Sequence, residues 1–264
     1  EELAEAMRGR GLGTPATRLT EAALLRLMET AGEMVEEEEL AEAMRGRGLG
    51  TPATRADTIE RLISTGYAQR VEGKIAATSK GIRLMDVLER ARVPVLGSPR
   101  LTGEWEHRLQ EIEEGRLTRE SALRDIEQFT REVTASLAGF DYDGLYAGDP
   151  SLGTCPSCGL GQVVESPWGY RCTRNAGLDE DGCHFFLWKD RSGRYIDRKL
   201  AERLVRERRA ERVAGFVDRF GRVLEGRIVL TPDAPEPGSQ WTMNVEFGPG
   251  GGATEGGAEE VVGV

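Results

Sequence analysis

CPSCGLGQVVESPWGYRC, residues 155–172, and GCHFFLW, residues 182–188, contain all four cysteines of the chain. The first two cysteines form a C-x2-C knuckle that is followed by a glycine, a residue suited to a tight turn. Thirteen residues separate the second cysteine from the third, and ten separate the third from the fourth. Four thiolates at two ends of a short hairpin can surround one ion, which predicts a structural Zn²⁺ site. The predicted ligands are Cys155, Cys158, Cys172 and Cys183.

Two alternatives to this zinc site remain open. The spacing between the third and fourth cysteines is wider than in a C-x2-C pair, so the four thiols could instead be buried or redox-active cysteines without a metal. His184 follows Cys183 and could replace one ligand, although a solvent-facing histidine is the simpler interpretation when four cysteines already complete the set. Four cysteines in 264 residues are too few for a disulfide scaffold.

Aromatic and basic side chains concentrate around the cysteines. Six of the sixteen aromatic residues lie between positions 168 and 195, and residues 151–230 carry 15 basic and 11 acidic side chains in a chain of net charge −10. In a strand, Phe185 and Leu187 would face one side, and Phe186 and Trp188 the other. The outer face could stack unpaired bases, or every ring could pack inside the module. We also expect a basic helix over residues 198–212.

The N-terminal half has helical periodicity followed by a hairpin pattern. An apolar stripe after Thr20 predicts a first helix, residues 39–44 a second, and Pro52 with the apolar positions up to Ile63 a third. Residues 67–78 alternate around Glu72-Gly73, which predicts a β-hairpin. Three helices and a two-stranded wing are typical of a winged-helix domain, a helix-turn-helix variant.

The remaining patterns set the expected fold class and domain limits. Helices are predicted at about 80–91, 103–114 and 118–137, the last two as an antiparallel α-hairpin. We therefore expect an α+β protein: a winged-helix-like helical domain plus α-hairpin, followed by a small zinc-ribbon β module. The predicted divisions are a DNA-contact domain at 19–140, a linker at 141–153, the zinc-ribbon module at 154–247 and a disordered tail at 248–264.

Residues 1–18, EELAEAMRGRGLGTPATR, recur without change at 38–55, although the sequences that follow the two copies are unrelated. Repeat proteins contain several diverged copies, because each unit must pack on its neighbours. Two perfect copies indicate a recent duplication or an assembly fault, and we expect only the second copy to fold within a domain. The chain also lacks an initiator methionine, so we expect it to be truncated at its start.

The segment GLGTPATRADTIERLISTGY at residues 48–67, together with the cysteine segment and the pair Gly193-Arg194, resembles the type IA DNA topoisomerases, most closely the bacterial topoisomerase III branch. The resemblance covers about residues 19–247. It implies the C-terminal part of an ATP-independent enzyme that cleaves one DNA strand, passes another strand and reseals the break. The family's Toprim domain, its Mg²⁺ ions and its Tyr-x-Arg-Thr tyrosine are expected only in a full-length enzyme, because no tyrosine of this chain has that setting.

The resemblance also assigns DNA contacts. The family's Gly-x-Pro-[Ser/Ala]-Thr element corresponds to residues 50–54, and backbone amides and hydroxyls at a helix N-terminus are natural phosphate donors. Ordinary helix capping would equally explain these residue types. No catalytic residue is assigned. The expected DNA-binding residues are Arg47, Gly50, Thr51, Thr54, Arg55, Arg171, Trp188, Lys189 and Arg194.

We expect single-stranded DNA as the main partner, with a helicase or polymerase as a candidate protein partner. No stretch of sequence is apolar enough for a membrane span, and we expect a cytoplasmic protein without membrane contact. The alternative function is a stand-alone winged-helix and zinc-ribbon protein that binds DNA or acts as an adaptor without cleaving it. A third possibility is that the zinc-ribbon module mainly binds protein, such as a polymerase or a helicase.

Overall fold

The computed structural model describes residues 18–91, 93–175, 182–218 and 220–247, which divide into two compact units with a boundary between Asp149 and Pro150. Both units combine helices with antiparallel strands, so the expected α+β class is confirmed. The first 17 residues of the duplicated segment and the predicted tail at 248–264 lie outside the described residues. The domain limits given above stay predictions.

The first unit consists mainly of helices. Thr20 caps the first of them, because its hydroxyl accepts a hydrogen bond from the amide of Ala23 at 3.1 Å. The third begins with Pro52 at its first position, and Thr54 Oγ1 accepts a 3.1 Å hydrogen bond from the amide of Thr51. The helices are α1 (Glu21–Glu29), α2 (Glu38–Ala43), α3 (Pro52–Ser64), α4 (Ser79–Arg90), α5 (Pro99–Glu113) and α6 (Arg119–Ala138), with 3-10 turns at Ala31–Met34, Pro94–Gly97 and Asp143–Tyr146.

A β-hairpin follows α3, as the sequence predicts. Strands β1 (Ala68–Val71) and β2 (Lys74–Ala77) pair antiparallel, and both turn residues between them, Glu72 and Gly73, have positive φ. The order of three helices and a hairpin therefore agrees with the expected order, while the winged-helix assignment itself stays a prediction. In the predicted α-hairpin, the rings of Trp105 on α5 and Phe129 on α6 meet edge to face at 5.8 Å.

The segment after α6 packs against the first unit. Tyr146 is buried, its hydroxyl donates a hydrogen bond to Asp86, and the guanidinium of Arg90 lies 3.9 Å from the centre of its ring. Arg90 also pairs with Asp86 and Asp149, each at 3.0 Å. Within the stretch predicted as a linker, residues up to Asp149 are therefore anchored to α4 by the Tyr146 ring, its hydrogen bond to Asp86 and the Arg90–Asp149 ion pair.

The loop before α3 contains a glycine that no other residue can replace without strain. Gly48 is buried at φ +65°, and a Cβ there would overlap the carbonyl oxygens of Met28 and Glu29. Gly46, two residues earlier, is exposed at φ +72° with nothing within 4 Å of an added Cβ. These two positions therefore share the left-handed backbone and differ in the space available.

We expect Gly48→Ala to destabilise the first unit more than Gly46→Ala does. A left-handed backbone costs an alanine about 1–2 kcal/mol at either site, and overlap with backbone adds about 1–3 kcal/mol at Gly48 alone. Urea denaturation followed by far-UV circular dichroism measures both changes in free energy of unfolding. Equal losses for the two variants would show that the loop relaxes freely away from α1.

In its described residues, the second unit contains two sheets, a short hairpin and one helix. The first sheet has the strand order β3-β4-β5-β6, the hairpin pairs β7 with β8, and the second sheet has the order β11-β10-β9, all antiparallel. Their bounds are β3 (Gly153–Thr154), β4 (Gln162–Glu165), β5 (Gly169–Cys172), β6 (Phe186–Trp188), β7 (Asp190–Arg191), β8 (Arg194–Tyr195), α7 (Arg198–Glu207), β9 (Arg209–Val217), β10 (Val223–Pro232) and β11 (Trp241–Phe247).

One continuous core joins these elements of the second unit. Apolar side chains from the inner faces of both sheets pack against one side of α7, which contributes Leu200, Ala201, Leu204 and Val205. The largest fully buried members are Tyr170, Phe185, Phe216, Leu187, Ile196 and Ile228. The cysteines belong to this same core, so the predicted metal site and the apolar packing stabilise one structure.

The expected basic helix over 198–212 is wrong at its C-terminal end. Helix α7 ends at Glu207, because Arg208 adopts a left-handed backbone with φ +61°, and β9 begins at Arg209. Buried Ala210, Val213 and Phe216 then anchor β9 in the core. The last basic residues therefore lie on a strand, where Arg212 pairs with Glu225 at 3.5 Å.

Candidate metal centre and nucleic-acid interface

The four cysteines converge as the sequence predicts. Each offers a sulfur, and the four sulfurs all lie within 4.8 Å of one another. The Sγ–Sγ distance is 3.7 Å between Cys155 and Cys183, and also 3.7 Å between Cys158 and Cys172. A tetrahedral ion with metal–sulfur bonds of about 2.3 Å requires sulfurs about 3.8 Å apart. Two of the sulfur–sulfur distances therefore match a tetrahedral four-thiolate site, and the remaining sulfur–sulfur distances are short enough to complete one.

The turn after the knuckle orients these sulfurs and stabilises negative charge on them. Gly159 has φ +66°, and the amide of Gly161 donates to Cys158 Sγ at 3.4 Å. A Cβ at Gly161 would overlap Cys172 Sγ, so only glycine leaves room for the sulfurs to approach. The amide of Arg174 likewise donates to Cys172 Sγ at 3.4 Å. Amide hydrogen bonds of this kind support thiolate ligands.

The thiols differ in how readily they ionise. Burial disfavours the thiolate of Cys158, but hydrogen bonds from the amides of Gly161 and Leu160 outweigh it, and the pKa of Cys158 falls to about 7. Burial raises the pKa of Cys172 to about 11 and raises the pKa of Cys155 further still. A bound cation would reverse this cost of burial, because it favours the charged sulfur.

These residues fit a structural metal ion. Soft thiolates at tetrahedral spacing are the ligands that zinc prefers in structural sites, and four of them leave no open position. Among the described residues, the side chains that converge on this site are all cysteines, so His184 does not belong to it. When bound, the ion would link the knuckle to β5, through Cys172, and to Cys183 in the segment before β6.

The outer face of the first sheet carries exposed aromatic rings beside a cation. Register pairs Gly169 with Trp188 and Arg171 with Phe186 across β5 and β6. Phe186 and Trp188 lie with ring centres 4.7 Å apart, and Trp188 is 54% exposed. Phe185 and Leu187 point into the core, so the predicted alternation of this strand is confirmed. We name Arg171, Phe186 and Trp188 the sheet-face platform.

Gly169 allows the platform to form. A Cβ at this position would lie 2.6 Å from the Phe186 ring and would overlap the carbonyl oxygen of Leu187. The absence of a side chain therefore lets the Phe186 ring lie directly on the β5 backbone. Arg171, two residues along the same face, is exposed.

Two predicted DNA contacts in this unit are buried. Lys189 is 1% exposed, and its ammonium lies 2.8 Å from Glu165 Oε1. Glu165 is itself buried and receives a second hydrogen bond from Arg198 at 3.0 Å. Arg194 is 5% exposed and lies 3.5 Å from Asp197, and burial lowers its pKa. We therefore place Lys189 and Arg194 outside the contact surface proposed below.

Sequence reasoning missed Glu165. It is a single carboxylate at the end of β4, and its role depends on two cations that lie far away in sequence, Lys189 directly after β6 and Arg198 at the start of α7. The sequence did contain one signal. Lys189 directly follows the apolar run FFLW, and a lysine that is buried with such a run needs an acidic partner. The partner itself could not be chosen without the fold.

The predicted contacts of the first unit surround the N-terminus of α3. Thr51 and Thr54 are exposed there, next to Gly50 with φ +68°. Arg47 is 43% exposed at its side chain and pairs with Glu106. Arg55 is buried, and its guanidinium donates to the carbonyls of Leu49 at 3.1 Å and Arg47 at 2.6 Å. It therefore stabilises the loop from inside instead of facing solvent.

Comparison with known proteins shows a consistent similarity. A family model described as DNA topoisomerase matches residues 10–124. The DNA topoisomerase 3 of Bacillus thuringiensis strain Al Hakam is 34% identical over 149 residues, which cover 54% of this chain and 19% of that protein. The DNA topoisomerase 3 of Staphylococcus haemolyticus strain JCSC1435 is 33% identical over 153 residues, or 55% and 20%. The chain thus spans about a fifth of the length of these relatives.

None of the helices in the described residues is long and apolar enough to cross a bilayer.

Proposed function

We propose that the chain, which is similar to DNA topoisomerase 3 proteins, binds single-stranded DNA as the strand-gripping part of a type IA topoisomerase. The sheet-face platform carries this proposal: two adjacent rings, one half exposed, lie beside an exposed arginine on a rigid sheet. Aromatic rings stack on any unpaired base, and arginine neutralises the neighbouring phosphate. A zinc ion bound by the four cysteines would hold this sheet in shape.

The first unit supplies a second proposed contact. The exposed hydroxyls of Thr51 and Thr54 at the N-terminus of α3 can donate to a phosphate, and Arg47 lies on the preceding loop. Arg55 acts there through the loop, because its bonds to two carbonyls fix the backbone that presents Gly50. This division of roles assigns direct contact to the exposed residues only.

We propose that the chain alone does not cleave DNA. The buried Tyr170 hydroxyl donates to the carbonyl of Ile196 at 2.9 Å, and the buried Tyr146 hydroxyl donates to Asp86, so both serve packing. Cleavage and Mg²⁺ binding would belong to a full-length, cytoplasmic enzyme, and a helicase or polymerase remains the proposed protein partner. Relaxation of supercoiled plasmid by the purified chain with Mg²⁺ would overturn this part.

A stand-alone adaptor that reuses these modules is the second candidate function. The exposed apolar side chains of the α-hairpin favour it, since Leu109 on α5 is 51% exposed and Leu123 on α6 is 49% exposed. As an adaptor, the chain would bind a protein and not unpaired DNA. Binding of oligonucleotides separates the two candidates.

Trp188→Ala is expected to weaken binding of a fluorescent dT16 oligonucleotide by about 5- to 100-fold, because one base–aromatic stack is worth about 1–3 kcal/mol. Arg171→Gln should lower the slope of log affinity against log salt by about one phosphate contact. Fluorescence anisotropy measures both effects.

Leu160→Ala is the matched control for these variants, because Leu160 is 73% exposed and carries no ring. It should bind the oligonucleotide like the unchanged chain. A Trp188→Ala variant with unchanged affinity would remove the platform from the proposal, and a chain that ignores dT16 even at low salt would favour the adaptor.

A further inference from the structure

The hairpin between β9 and β10 presents an exposed aromatic ring at its tip. Phe220 is 69% exposed, and in the described part of the chain only Leu160 among the large apolar side chains is more exposed. A single exposed apolar ring is common on protein surfaces, so exposure alone does not single out Phe220, and the fixed geometry around it carries the inference. The sheet-face platform does not include it.

One aspartate side chain holds the described residues of the tip in place through three hydrogen bonds. Asp218 Oδ1 accepts hydrogen bonds from the amides of Phe220 and Arg222, both at 2.9 Å, and its Oδ2 accepts one from Arg222 Nε at 2.7 Å. Gly221 completes the turn with φ +75°. One carboxylate therefore fixes the backbone on both sides of the ring.

The same bonds place a cation beside the ring. The guanidinium of Arg222 lies 5.5 Å from the centre of the Phe220 ring, and the Arg222 side chain is 63% exposed. Because Asp218 offsets much of this charge locally, a ligand would gain more from the ring than from electrostatic attraction. An uncharged, flat group bound face to face suits such a tip better than a phosphate alone.

A continuous path of backbone connects the tip to the sheet-face platform. The amide of Val217 donates to the carbonyl of Ser192 at 3.1 Å, which joins the base of the tip to the β7–β8 hairpin. Ser192 follows Trp188 by four residues, and Phe220 follows Val217 by three. At no more than about 3.6 Å per residue, Trp188 and Phe220 lie within roughly 30 Å of each other. A strand of about nine nucleotides at B-form spacing covers that distance.

We propose that Phe220, braced by Asp218 and flanked by Arg222, is a second base-stacking site for the same single strand that contacts the sheet-face platform. The inference rests on the proposed single-strand binding and adds a site to it. A strand held at two stacking points would be fixed in direction and extension across the second unit. Either site alone would hold one or two bases without fixing the strand.

Anisotropy titrations of the full chain with dT16 test this site. Phe220→Ala should weaken binding by about 5- to 100-fold with no change in the salt slope, because stacking and not charge is lost. Phe220→Tyr should bind like the unchanged chain, since it keeps an aromatic face. Phe220→Leu should bind as weakly as the alanine variant, because leucine keeps apolar surface but cannot stack in this way.

The outcomes separate this site from the platform. If Trp188→Ala weakens binding while Phe220→Ala does not, the second site is overturned and the proposed function stands. If Phe220→Leu binds like the unchanged chain, the aromatic ring is not required and base stacking at this site is rejected. If the unchanged chain does not bind dT16, both the proposed function and this site fail. Because Phe220 is exposed, its variants should keep the circular dichroism spectrum of the unchanged chain, and this is checked first.

Discussion

Cys183→Ser will unfold the second unit. The variant leaves three thiolates for an ion that requires four, and the fourth position lies inside the core beside Cys155 and Phe185. Structural zinc sites contribute about 10–16 kcal/mol of apparent binding free energy, which exceeds the stability of most domains of this size. Tryptophan fluorescence reports the loss, because Trp168, Trp188 and Trp241 all lie in this unit.

The metal content and a matched control test the same prediction. The unchanged chain should contain one zinc per molecule by elemental analysis, and prolonged chelation should reproduce the spectrum of Cys183→Ser. Leu160→Ala, on the same knuckle but exposed, should keep both metal and fluorescence. Native fluorescence and unchanged protease resistance in Cys183→Ser would show that packing alone holds the unit together and that the thiols are ordinary buried cysteines.

Lys189→Met should cost the second unit about 3–5 kcal/mol of unfolding free energy. Methionine matches the length of lysine but removes the charge that lies 2.8 Å from Glu165 Oε1, so a buried carboxylate loses one of its two cationic partners. Breaking a buried ion pair from one side costs more than the pair itself contributes, because the remaining charge stays desolvated. Urea denaturation followed by tryptophan fluorescence measures the change.

Lys199→Met is the matched control, because Lys199 is an exposed lysine on α7 of the same unit. It should change stability by less than about 0.5 kcal/mol. The double variant Lys189→Met with Glu165→Gln should recover part of the loss, since no unpaired charge is then buried. Equal stability of Lys189→Met and Lys199→Met would show that Lys189 reaches solvent, and its predicted DNA contact would then be restored.

Much of this architecture could be predicted from local pattern. The helices of the first unit and the β1–β2 hairpin follow from capping residues and apolar periodicity, which act within a few positions. The alternation in WTMNVEF at residues 241–247 was an equally local signal for β11, although the expected basic helix over 198–212 obscured the sheet to which it belongs. Arg208 ended that helix through a left-handed backbone, which arginine seldom adopts and sequence does not announce.

The candidate sites divide in the same way. Spacing alone identified the four cysteines, because a knuckle and a short hairpin bring together cysteines that are near one another in sequence. The exposed Trp188 followed from strand alternation, which depends only on backbone geometry. Phe220 and its brace were missed, since a hairpin tip is recognised only after the strands on either side of it are known.

The sequence by itself identified the four cysteines that converge, the order of helices and hairpin in the first unit, and which face of FFLW points outward. Only the tertiary structure decided which cations remain available for a ligand. Arg171 is exposed to solvent, whereas Arg55 is buried and bonded to backbone carbonyls, and Lys189 is buried and paired with Glu165. The physical reason is that the neighbouring sequence does not show whether a charged side chain is buried or paired. Its burial and pairing depend on groups that distant segments bring to it, as Glu165 is brought to Lys189.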